Sequence, residues 1–457
     1  MKRALAFVLS LTVGTLVAQP TQVLFFLDTE DFTDPETASS IGSYADLFRE
    51  EGVTAQFAIV GFLAEQLETW GRRDVLASLR EHVVGTQTMF HSVHPDICEL
   101  TDIPDFKAAY DRIWPQEKRA FDSVRHAVFG KPVSCAVPPG NSKSYVAYYV
   151  WADLGIPFVC DTVVWDVKGR DLWYCNIRQL KYDESLETFL PAAGKRQPSV
   201  TEFVDALAGR GRVVLYAHPN FAVRREFWDS VNYNRGNLVE WGKWKKAALR
   251  PPEETAAYFA KVREVVRRLK ADPRFELTDL NRLPPAKPRV RMTRSDLPAV
   301  RAALLRHFGP IESPASWSVA DVFLAVVGFL RGENDYRPDR TYGFLTAPRG
   351  VAETVTVCRE DLVAAARVME TGGFLPTEIP VGAQRLGPAD FLFAAMEVLT
   401  GTSSTVAVVP REQLGDLSPF PELKTYRMNG KWVHTSEFED RYLSDRMRLQ
   451  LWTLRYE

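Results

Sequence analysis

The sequence has almost no net charge and no long apolar run outside its first residues. Its formal net charge of −2 argues against broad electrostatic binding of nucleic acid or of an anionic membrane surface. Beyond the N-terminus, no segment is long and apolar enough to span a bilayer. With 46% hydrophobic and 25% charged residues, the composition is typical of a soluble globular protein.

Cysteines are also few: the 457 residues contain five, and none forms a CxxC pair. In an oxidising compartment one or two disulfides would be possible, and the odd count leaves at least one thiol free unless it pairs between chains. Cys135 and Cys160 both lie in short apolar runs that have the pattern of neighbouring strands, so they are the candidate pair. Two buried free thiols are the alternative.

The N-terminus, MKRALAFVLSLTVGTLVAQPTQ, has the outline of a secretory signal peptide. Lys2 and Arg3 form a short positive region, and the apolar run from Ala4 to Ala18 is too short for a comfortable membrane span. We therefore predict a signal peptide over residues 1–20 and a periplasmic or secreted protein without a membrane span in the mature chain. An uncleaved anchor or a buried strand and helix is the alternative.

Between residues 21 and 283, short apolar runs alternate with longer amphipathic stretches. The runs QVLFFL, AQFAIVG, VVGTQT, PVSCAV, IPFVCD, RVVLYAH and RFELTDL have the length of strands. SYADLFREEG, RRDVLASLREH and the stretches from about Phe106 to Phe129 and from about Ser144 to Leu154 have helical periodicity. This alternation predicts a parallel sheet or a (β/α) barrel, and the length suits a barrel.

Polar residues or a tight turn follow several of these runs, at the end of the strand where a barrel places its active site. Acids follow the first run, a glutamine and two histidines the third, a Pro-Gly turn the fourth and a histidine a late one. We expect these residues to meet in one pocket, where the glutamine and the Pro-Gly turn contact the substrate. They are Asp28, Glu30, Asp31, Gln87, His91, His94, Pro139, Gly140 and His218.

This set of residues supports metal-dependent hydrolysis of an amide. Such a hydrolase needs a cation that polarises the carbonyl, a carboxylate that takes a proton from water, and an acid that protonates the leaving amine. Asp28 is the candidate base and His218 the candidate acid. Histidines three residues apart can share a metal on one face of a helical turn. The candidate ligands of a divalent ion are therefore Glu30, Asp31, His91 and His94.

The same motifs resemble those of the polysaccharide deacetylase family with the NodB-homology fold. LDTEDF resembles the family's aspartate pair after the first strand, QTMFH its His-Ser/Thr-x-x-His motif, AVPPGN its Arg-x-Pro turn and VLYAH its Leu-x-His strand end. The resemblance covers roughly residues 22–285. It implies a deformed (β/α) barrel, a divalent metal with zinc as the expected ion, and removal of acyl groups from a glycan.

The resemblance also implies roles for individual residues. It makes Asp28 the general base and His218 the general acid. It assigns metal binding to His91 and to one of Asp31 and Glu30, since the DTED form leaves that choice open.

Two positions depart from the family's pattern. Gln87 stands where the family has its first histidine ligand, and a carboxamide is a weak ligand for Zn²⁺. The arginine of the third motif is absent, with Ala136 and Val137 at the possible positions. His94 could replace the missing imidazole, or it could be a residue of the turn before Pro95. Gln87 is expected to form hydrogen bonds in the pocket.

A second region follows a proline-rich, basic linker at residues 284–293. Within residues 294–457, RSDLPAVRAALLRHFG is similar to REDLVAAARVMETGG, and WSVADVFLAVVGFLRG is similar to LGPADFLFAAMEVLTG. Each unit predicts a helix, an extended connector and a second helix, so we expect a mainly α-helical repeat domain. The second unit resembles pseudomurein-binding-type repeats, which implies binding of a cell-wall glycan. A packing domain without a ligand is the alternative.

The sequence therefore predicts an exported hydrolase of the deacetylase type that acts on an acylated polysaccharide or cell-wall glycan. Two alternatives stay open: a non-catalytic glycan-binding protein with a degraded metal site, and a metal-free hydrolase of another C–N bond. The retained Asp28 and His218 favour an enzyme, whereas Gln87 and the absent arginine favour a binding protein. The sequence does not indicate the oligomeric state.

Overall fold

The computed structural model describes most of the two predicted regions. It covers residues 19–192, 194–233, 239–240, 243–283, 290–427, 434 and 437–456. Nearly all of the predicted signal peptide, and residues 284–289 of the predicted linker, lie outside the described residues. None of the described helices is both long and apolar enough to cross a lipid bilayer.

A large, mainly parallel sheet organises the first region. Its strands are β1 (Thr21–Thr29), β2 (Gln56–Ile59), β3 (Val83–Thr86), β4 (Val133–Ala136), β5 (Phe158–Val159), β6 (Leu172–Tyr174), β7 (Ile177–Gln179), β8 (Glu184–Ser185), β9 (Arg212–Ala217) and β10 (Phe275–Leu277). Their order is β6-β7-β5-β4-β3-β2-β1-β9-β8, and β10 also pairs with β1. Apart from the antiparallel β6–β7 hairpin, the pairs among these ten strands are parallel.

The segment from β7 to β8 connects the two ends of the parallel part of this sheet. β7 pairs with β5, and β8 pairs with β9 on the far side. Between them, the Leu180 N–H donates to the Val159 carbonyl at 2.8 Å, and the Asp183 N–H donates to the Val214 carbonyl at 3.0 Å. Among the described strands no continuous ladder crosses this joint, so a parallel α/β sheet is established and closure into a barrel stays a prediction.

Strand β1 is buried on both faces, as expected for a parallel strand between layers. Val23, Phe25 and Leu27 pack with the helices in the larger core. Leu24 and Phe26 point to the other face and pack in a smaller cluster with Cys135 and Cys160. The described cysteines are free thiols, so the candidate disulfide is not formed and the alternative of two buried thiols holds.

Helices cover the outer face of the sheet. The longest places Ala109, Ile113, Glu117, Ala120 and Val124 on its buried side, at the three- and four-residue spacing of one helical face. The helices are α1 (Ala38–Glu50), α2 (Gly61–Thr69), α3 (Arg73–Leu79), α4 (Ile97–Thr101), α5 (Phe106–Ala127), α6 (Tyr145–Asp153), α7 (Val200–Leu207), α8 (Pro219–Val223), α9 (Ser230–Tyr233) and α10 (Pro252–Ala271).

The second region has its own core and contains two helix–connector–helix units. The first unit holds β11 (Met292–Thr293), α11 (Leu297–Arg306), α12 (Val319–Leu330) and β12 (Asp335–Tyr336). The second holds β13 (Val355–Cys358), α13 (Arg359–Val368), β14 (Ile379–Val381), β15 (Gln384–Leu386), α14 (Pro388–Thr400) and β16 (Thr405–Val408). The two units have the same order of helices, and a repeat domain stays a prediction.

Each unit also contains an arginine that contacts the end of its second helix. Arg294 donates to the carbonyls of Phe329 and Glu333 at the end of α12. Arg359, at the equivalent place in the second unit, donates to the Val398 and Gly401 carbonyls at the end of α14. In each unit, then, one arginine satisfies the free carbonyls of the second helix.

The C-terminal tail returns to the first region. It contains α15 (Pro421–Thr425), α16 (Ser444–Met447) and β17 (Arg455–Tyr456), and β17 extends the large sheet by pairing antiparallel with β6. Met447, Leu454 and Tyr456 pack in the core of the first region, whereas Trp452 packs in the core of the second. The predicted helical domain over residues 294–457 thus contains a tail that belongs to both cores.

Candidate active site

One cavity of about 320 Å³ lies at the carboxyl ends of the parallel strands. The ends of β1, β3 and β9 and the turn after β4 bring side chains to it, as expected for a parallel α/β sheet. Its lining consists of Asp28, Glu30, Gln87, His91, Pro138, Gly140, Asp161, Tyr182, Asp183, Tyr216, His218 and Phe227.

Asp28, near the end of β1, is buried in this cavity with two polar neighbours. The Tyr182 hydroxyl donates to Asp28 Oδ1 at 2.5 Å, and Asp28 Oδ2 lies 3.6 Å from His218 Nε2. Burial raises the pKa of Asp28 to about 7, although the charge of His218 and the hydrogen bond from Tyr182 act in the opposite direction. The carboxyl group can therefore exchange a proton near neutral pH.

His218 follows β9 and is held by Glu187. Its Nδ1 lies 2.7 Å from Glu187 Oε1, and its backbone N–H donates to the same oxygen at 2.8 Å. Burial lowers the pKa of His218, but the charge and hydrogen bond of Glu187 outweigh it and raise the pKa to about 10. Since the ring is then protonated at neutral pH, His218 and Asp28 form an acid and a base that face each other.

On the other side of the cavity, His91 lies between two carboxylates. Its Nε2 is 2.6 Å from Glu30 Oε2, and its Nδ1 is 3.5 Å from Asp229 Oδ2. The Ser92 hydroxyl, 3.0 Å from the same Nδ1, donates to Asp229 at 2.7 Å. Burial lowers the pKa of His91, but the charge of Glu30 and the hydrogen bonds of both acids raise it to about 10.

The donors around His91 fit a divalent metal ion. Potential ligand atoms of Glu30, His91 and Asp229 lie within 4.8 Å of one another. Gln87 was expected to form hydrogen bonds, but its buried amide oxygen has no hydrogen-bond partner among the described residues, so it is available to an ion. An ion held here would displace the proton from His91, and Asp229 would then orient the ring through the other nitrogen, as carboxylates commonly do for metal-bound histidines.

Three of the predicted site residues do not line the cavity in the part of the chain that the structure describes: Asp31, His94 and Pro139. Asp31 Oδ1 accepts hydrogen bonds from the backbone and hydroxyl of Thr33, at 2.9 and 2.6 Å. At the Pro-Gly turn, Gly140 lines the cavity as expected, and Pro138 lines it in place of Pro139. The structure thus selects Glu30 over Asp31 as the carboxylate beside His91.

His94 belongs to a different cluster because residues 88–92 form turns rather than a helix. Thr88 and His91 have positive φ angles of 62° and 53°, so three-residue spacing does not place His91 and His94 on one face. His94 Nδ1 lies 2.7 Å from Glu99 Oε2. The His94 ring meets the His434 ring edge to face, with ring centroids 5.8 Å apart.

Two of the five described non-glycine residues with positive φ, His91 and Asp161, line this cavity, and Thr88 directly follows Gln87. Thr88, His91 and Asp161 are non-glycine residues with positive φ, an arrangement that costs free energy and is maintained only where the surroundings demand it. Asp161 is held in place by Lys143, whose Nζ lies 2.6 Å from Asp161 Oδ2.

Several residues of the cavity and its supports, among them Tyr182, Glu187 and Asp229, were not predicted from the sequence. They do not directly follow an apolar run of strand length, so the signal that identified Asp28 does not find them.

No model of a known protein family and no curated protein sequence matches the chain. Among solved structures, a mutant of a CE4 family pseudoenzyme with restored enzymatic activity is 10% identical to this chain, with a TM-score of 0.33. The match covers 57% of this chain and 66% of the pseudoenzyme chain, which is just under two thirds. A Streptococcus mutans CE4 esterase is 12% identical, with 57% and 87% covered and a TM-score of 0.33.

A putative polysaccharide deacetylase from Mycobacterium smegmatis is also 12% identical, with 59% of this chain and 90% of its own covered and a TM-score of 0.37. Likenesses this distant carry no argument about the chemistry of the cavity. The interpretation of the site therefore depends on its own residues.

Proposed function

We propose that this protein is an exported, polysaccharide deacetylase-like hydrolase that removes acyl groups, N-acetyl groups in particular, from a glycan. The observation that supports it best is the facing pair of Asp28 and His218 in a buried cavity, with pKa values of about 7 and about 10. Export is proposed from the N-terminal sequence alone.

In the proposed reaction, Asp28 removes a proton from a water molecule as the water oxygen attacks the acyl carbon. His218 gives the proton on Nε2 to the sugar nitrogen as the C–N bond breaks, so the products are a carboxylic acid and a free amine. Glu187 keeps His218 protonated and fixes the direction of its ring. Tyr182 fixes the Asp28 carboxylate by donating to one of its oxygens.

A divalent ion, with zinc as the expected species, would be held by Glu30, His91 and Gln87 and would polarise the acyl carbonyl. The carboxamide makes this donor set weaker than one with two imidazoles. Asp229 and Ser92 keep the imidazole of His91 directed at Glu30.

Aromatic side chains of the cavity suit a sugar ring. The rings of Tyr182 and Tyr216 are stacked with centroids 4.8 Å apart. The Phe227 ring contacts the His218 ring edge to face, with centroids 4.7 Å apart. Flat aromatic faces pack well against the C–H faces of sugars. The two helical units of the second region are proposed to bind the same polymer, cell-wall glycan, in line with their resemblance to pseudomurein-binding-type repeats.

The test is acetate release from N-acetylated oligosaccharides by zinc-loaded protein. We expect Asp28→Asn to reduce kcat about 100-fold or more, because it removes the base. Asp31→Asn is the matched control, since Asp31 is a buried carboxylate that lies three residues away and does not line the cavity. Equal losses in the two variants would contradict the assignment of Asp28.

A non-catalytic glycan-binding protein is the second candidate, and Gln87 is the observation that favours it. In this case the wild-type protein would release no acetate at any metal concentration, while wild type and Asp28→Asn would bind the glycan with equal affinity. A metal-free hydrolase of another C–N bond would retain turnover after exhaustive chelation.

A further inference from the structure

A second cavity, of about 610 Å³, lies beside the candidate active site. Four cationic side chains line it: Lys195, Arg196, Arg225 and Arg250. Among the described lining residues, Glu187 is the one carboxylate, and its charge is already opposed by the His218 imidazolium. The cavity therefore carries an excess of positive charge.

The ion pairs around the cavity do not remove this excess. Arg225 and Arg250 share a single acid, Glu254, at 3.0 and 3.6 Å. Within the part of the chain that the structure describes, no ion pair to Lys195 is present. Arg196 pairs with Glu202, but its side chain is 79% exposed, so solvent screens that pair.

Arg250 gives the cavity a fixed cation rather than a mobile one. Its side chain is only 4% exposed, and its Nε donates to the carbonyls of Phe221 and Arg224 at 2.9 and 3.0 Å. Burial of a guanidinium is costly unless something compensates it. The carbonyls and the Glu254 carboxylate, which Arg250 shares with Arg225, hold the guanidinium in place. The cavity therefore keeps a fixed cation that suits an anionic ligand.

Two residues of this cavity contact residues that line the candidate active site. Glu187 lines the cationic cavity and also holds His218. Phe221 lines the cationic cavity and stacks on Phe227 of the active-site cavity, with centroids 4.6 Å apart. The cationic cavity therefore lies on the His218 and Phe227 side of the active site, the side from which a unit next to the acylated sugar would meet it.

We propose that the cationic cavity binds an anionic group of the substrate, so that the glycan is acidic and carries a carboxylate or a phosphate on a unit next to the acylated sugar. The proposal rests on the proposed function, and it deepens it by naming the substrate class. Guanidinium groups bind carboxylate and phosphate oxygens through paired, charge-assisted hydrogen bonds. Neighbouring Arg225 and Arg250 can supply two such donors.

The test measures binding without turnover, in the full chain with Asp28→Asn. The probes are tetragalacturonate, a tetramer of glycerol phosphate, and the neutral tetramer of N-acetylglucosamine. Calorimetry measures the affinity of each probe at low and at high salt. We expect at least one acidic probe to bind about tenfold more tightly than the neutral one, with an advantage that shrinks in high salt. The acidic probe that binds identifies the source of the anion.

Arg225→Gln should abolish most of that advantage and leave the neutral probe within about twofold. Arg225 is 43% exposed, so the variant is expected to fold, and Lys195→Gln is a second, independent variant. Arg385→Gln, a 69% exposed arginine that pairs with Glu378 in the second region, is the matched control and should change nothing.

Equal affinity for acidic and neutral probes, or an acidic preference that survives both Arg225→Gln and Lys195→Gln, would overturn the proposal. These outcomes do not depend on turnover. Absence of acetate release from the wild type would instead overturn the proposed hydrolase, whatever the probes show.

Discussion

His91 and His94 lie three residues apart and belong to clusters of the same residue types, but the two clusters differ in what they face. The His91 cluster faces an open cavity that also holds Asp28 and an unpartnered oxygen of Gln87. In the second cluster, His94 pairs with Glu99 and His434 pairs with Asp96.

The acids of the second cluster are already engaged by the protein. Asp96 Oδ1 caps α4 by accepting the N–H groups of Cys98 and Glu99, and its Oδ2 accepts the Ser142 hydroxyl at 2.9 Å. Because His434 comes from the tail, this cluster fastens the tail to the loop after β3. Histidines and acids thus line an open cavity in one case and form a structural clasp in the other.

The largest expected effect separates the two histidines by activity. His91→Asn should reduce acetate release about 100-fold or more, because it removes a group at the reacting centre. His94→Asn should stay within a few-fold of wild type, since His94 does not line the cavity. Steady-state kinetics on both zinc-loaded variants checks this, and similar losses would mean that the clusters act as one.

The metal affinity of the His91 cluster can be increased at Gln87. Gln87→His should bind zinc about tenfold to 100-fold more tightly, because an imidazole replaces a carboxamide. Competition with a chelating dye measures the change. The added substitution His94→Asn should leave the gain intact, and a gain that disappears would show that His94 is a ligand.

The alkaline limb of the pH profile reports His218. Its raised pKa means that the ring keeps its proton until pH approaches about 10, so kcat should fall about tenfold per pH unit beyond that value. Glu187→Gln keeps a hydrogen-bond acceptor but removes the charge, and it should move this limb to lower pH. A limb that stays in place would exclude His218 as the acid.

The smallest effect concerns the clasp. His434→Asn should lower the free energy of unfolding by about 1–2 kcal/mol at pH 7 and leave kcat unchanged. Burial alone would raise the pKa of Asp96, but the hydrogen bond from His434 helps to lower it below 3.8. The contribution is therefore present above pH 3.8 and lost as pH falls through the lowered pKa. Urea unfolding of both proteins at a series of pH values below 7 tests this, and a difference that does not shrink as Asp96 becomes protonated would contradict the hydrogen bond to its carboxylate.

The regular elements could be predicted because their patterns are local. QVLFFL lies within β1, and the helix predicted from about Phe106 to Phe129 is Phe106–Ala127. The helix predicted from about Ser144 to Leu154 is Tyr145–Asp153. The parallel α/β sheet is confirmed, whereas the short strands β6, β7, β8 and β17 carry too few residues for periodicity to reveal.

The site was predictable only where a residue lies at or shortly after the end of a strand. Asp28, Glu30, Gln87, His91 and His218 do so, and all five line the cavity. Tyr182 reaches Asp28 across 154 residues of sequence, and Asp229 reaches Ser92 across 137. Such contacts depend on tertiary packing, and no local pattern encodes them.

Strand β17 has a consequence for the design of shorter proteins. A fragment that ends at residue 283 would lose the two residues that cover the free edge of β6, together with buried Met447 and Tyr456. An uncovered strand edge is a template for pairing with another chain. Such a fragment would be prone to self-association, and supplying the second region and tail as a separate polypeptide should cover the edge again.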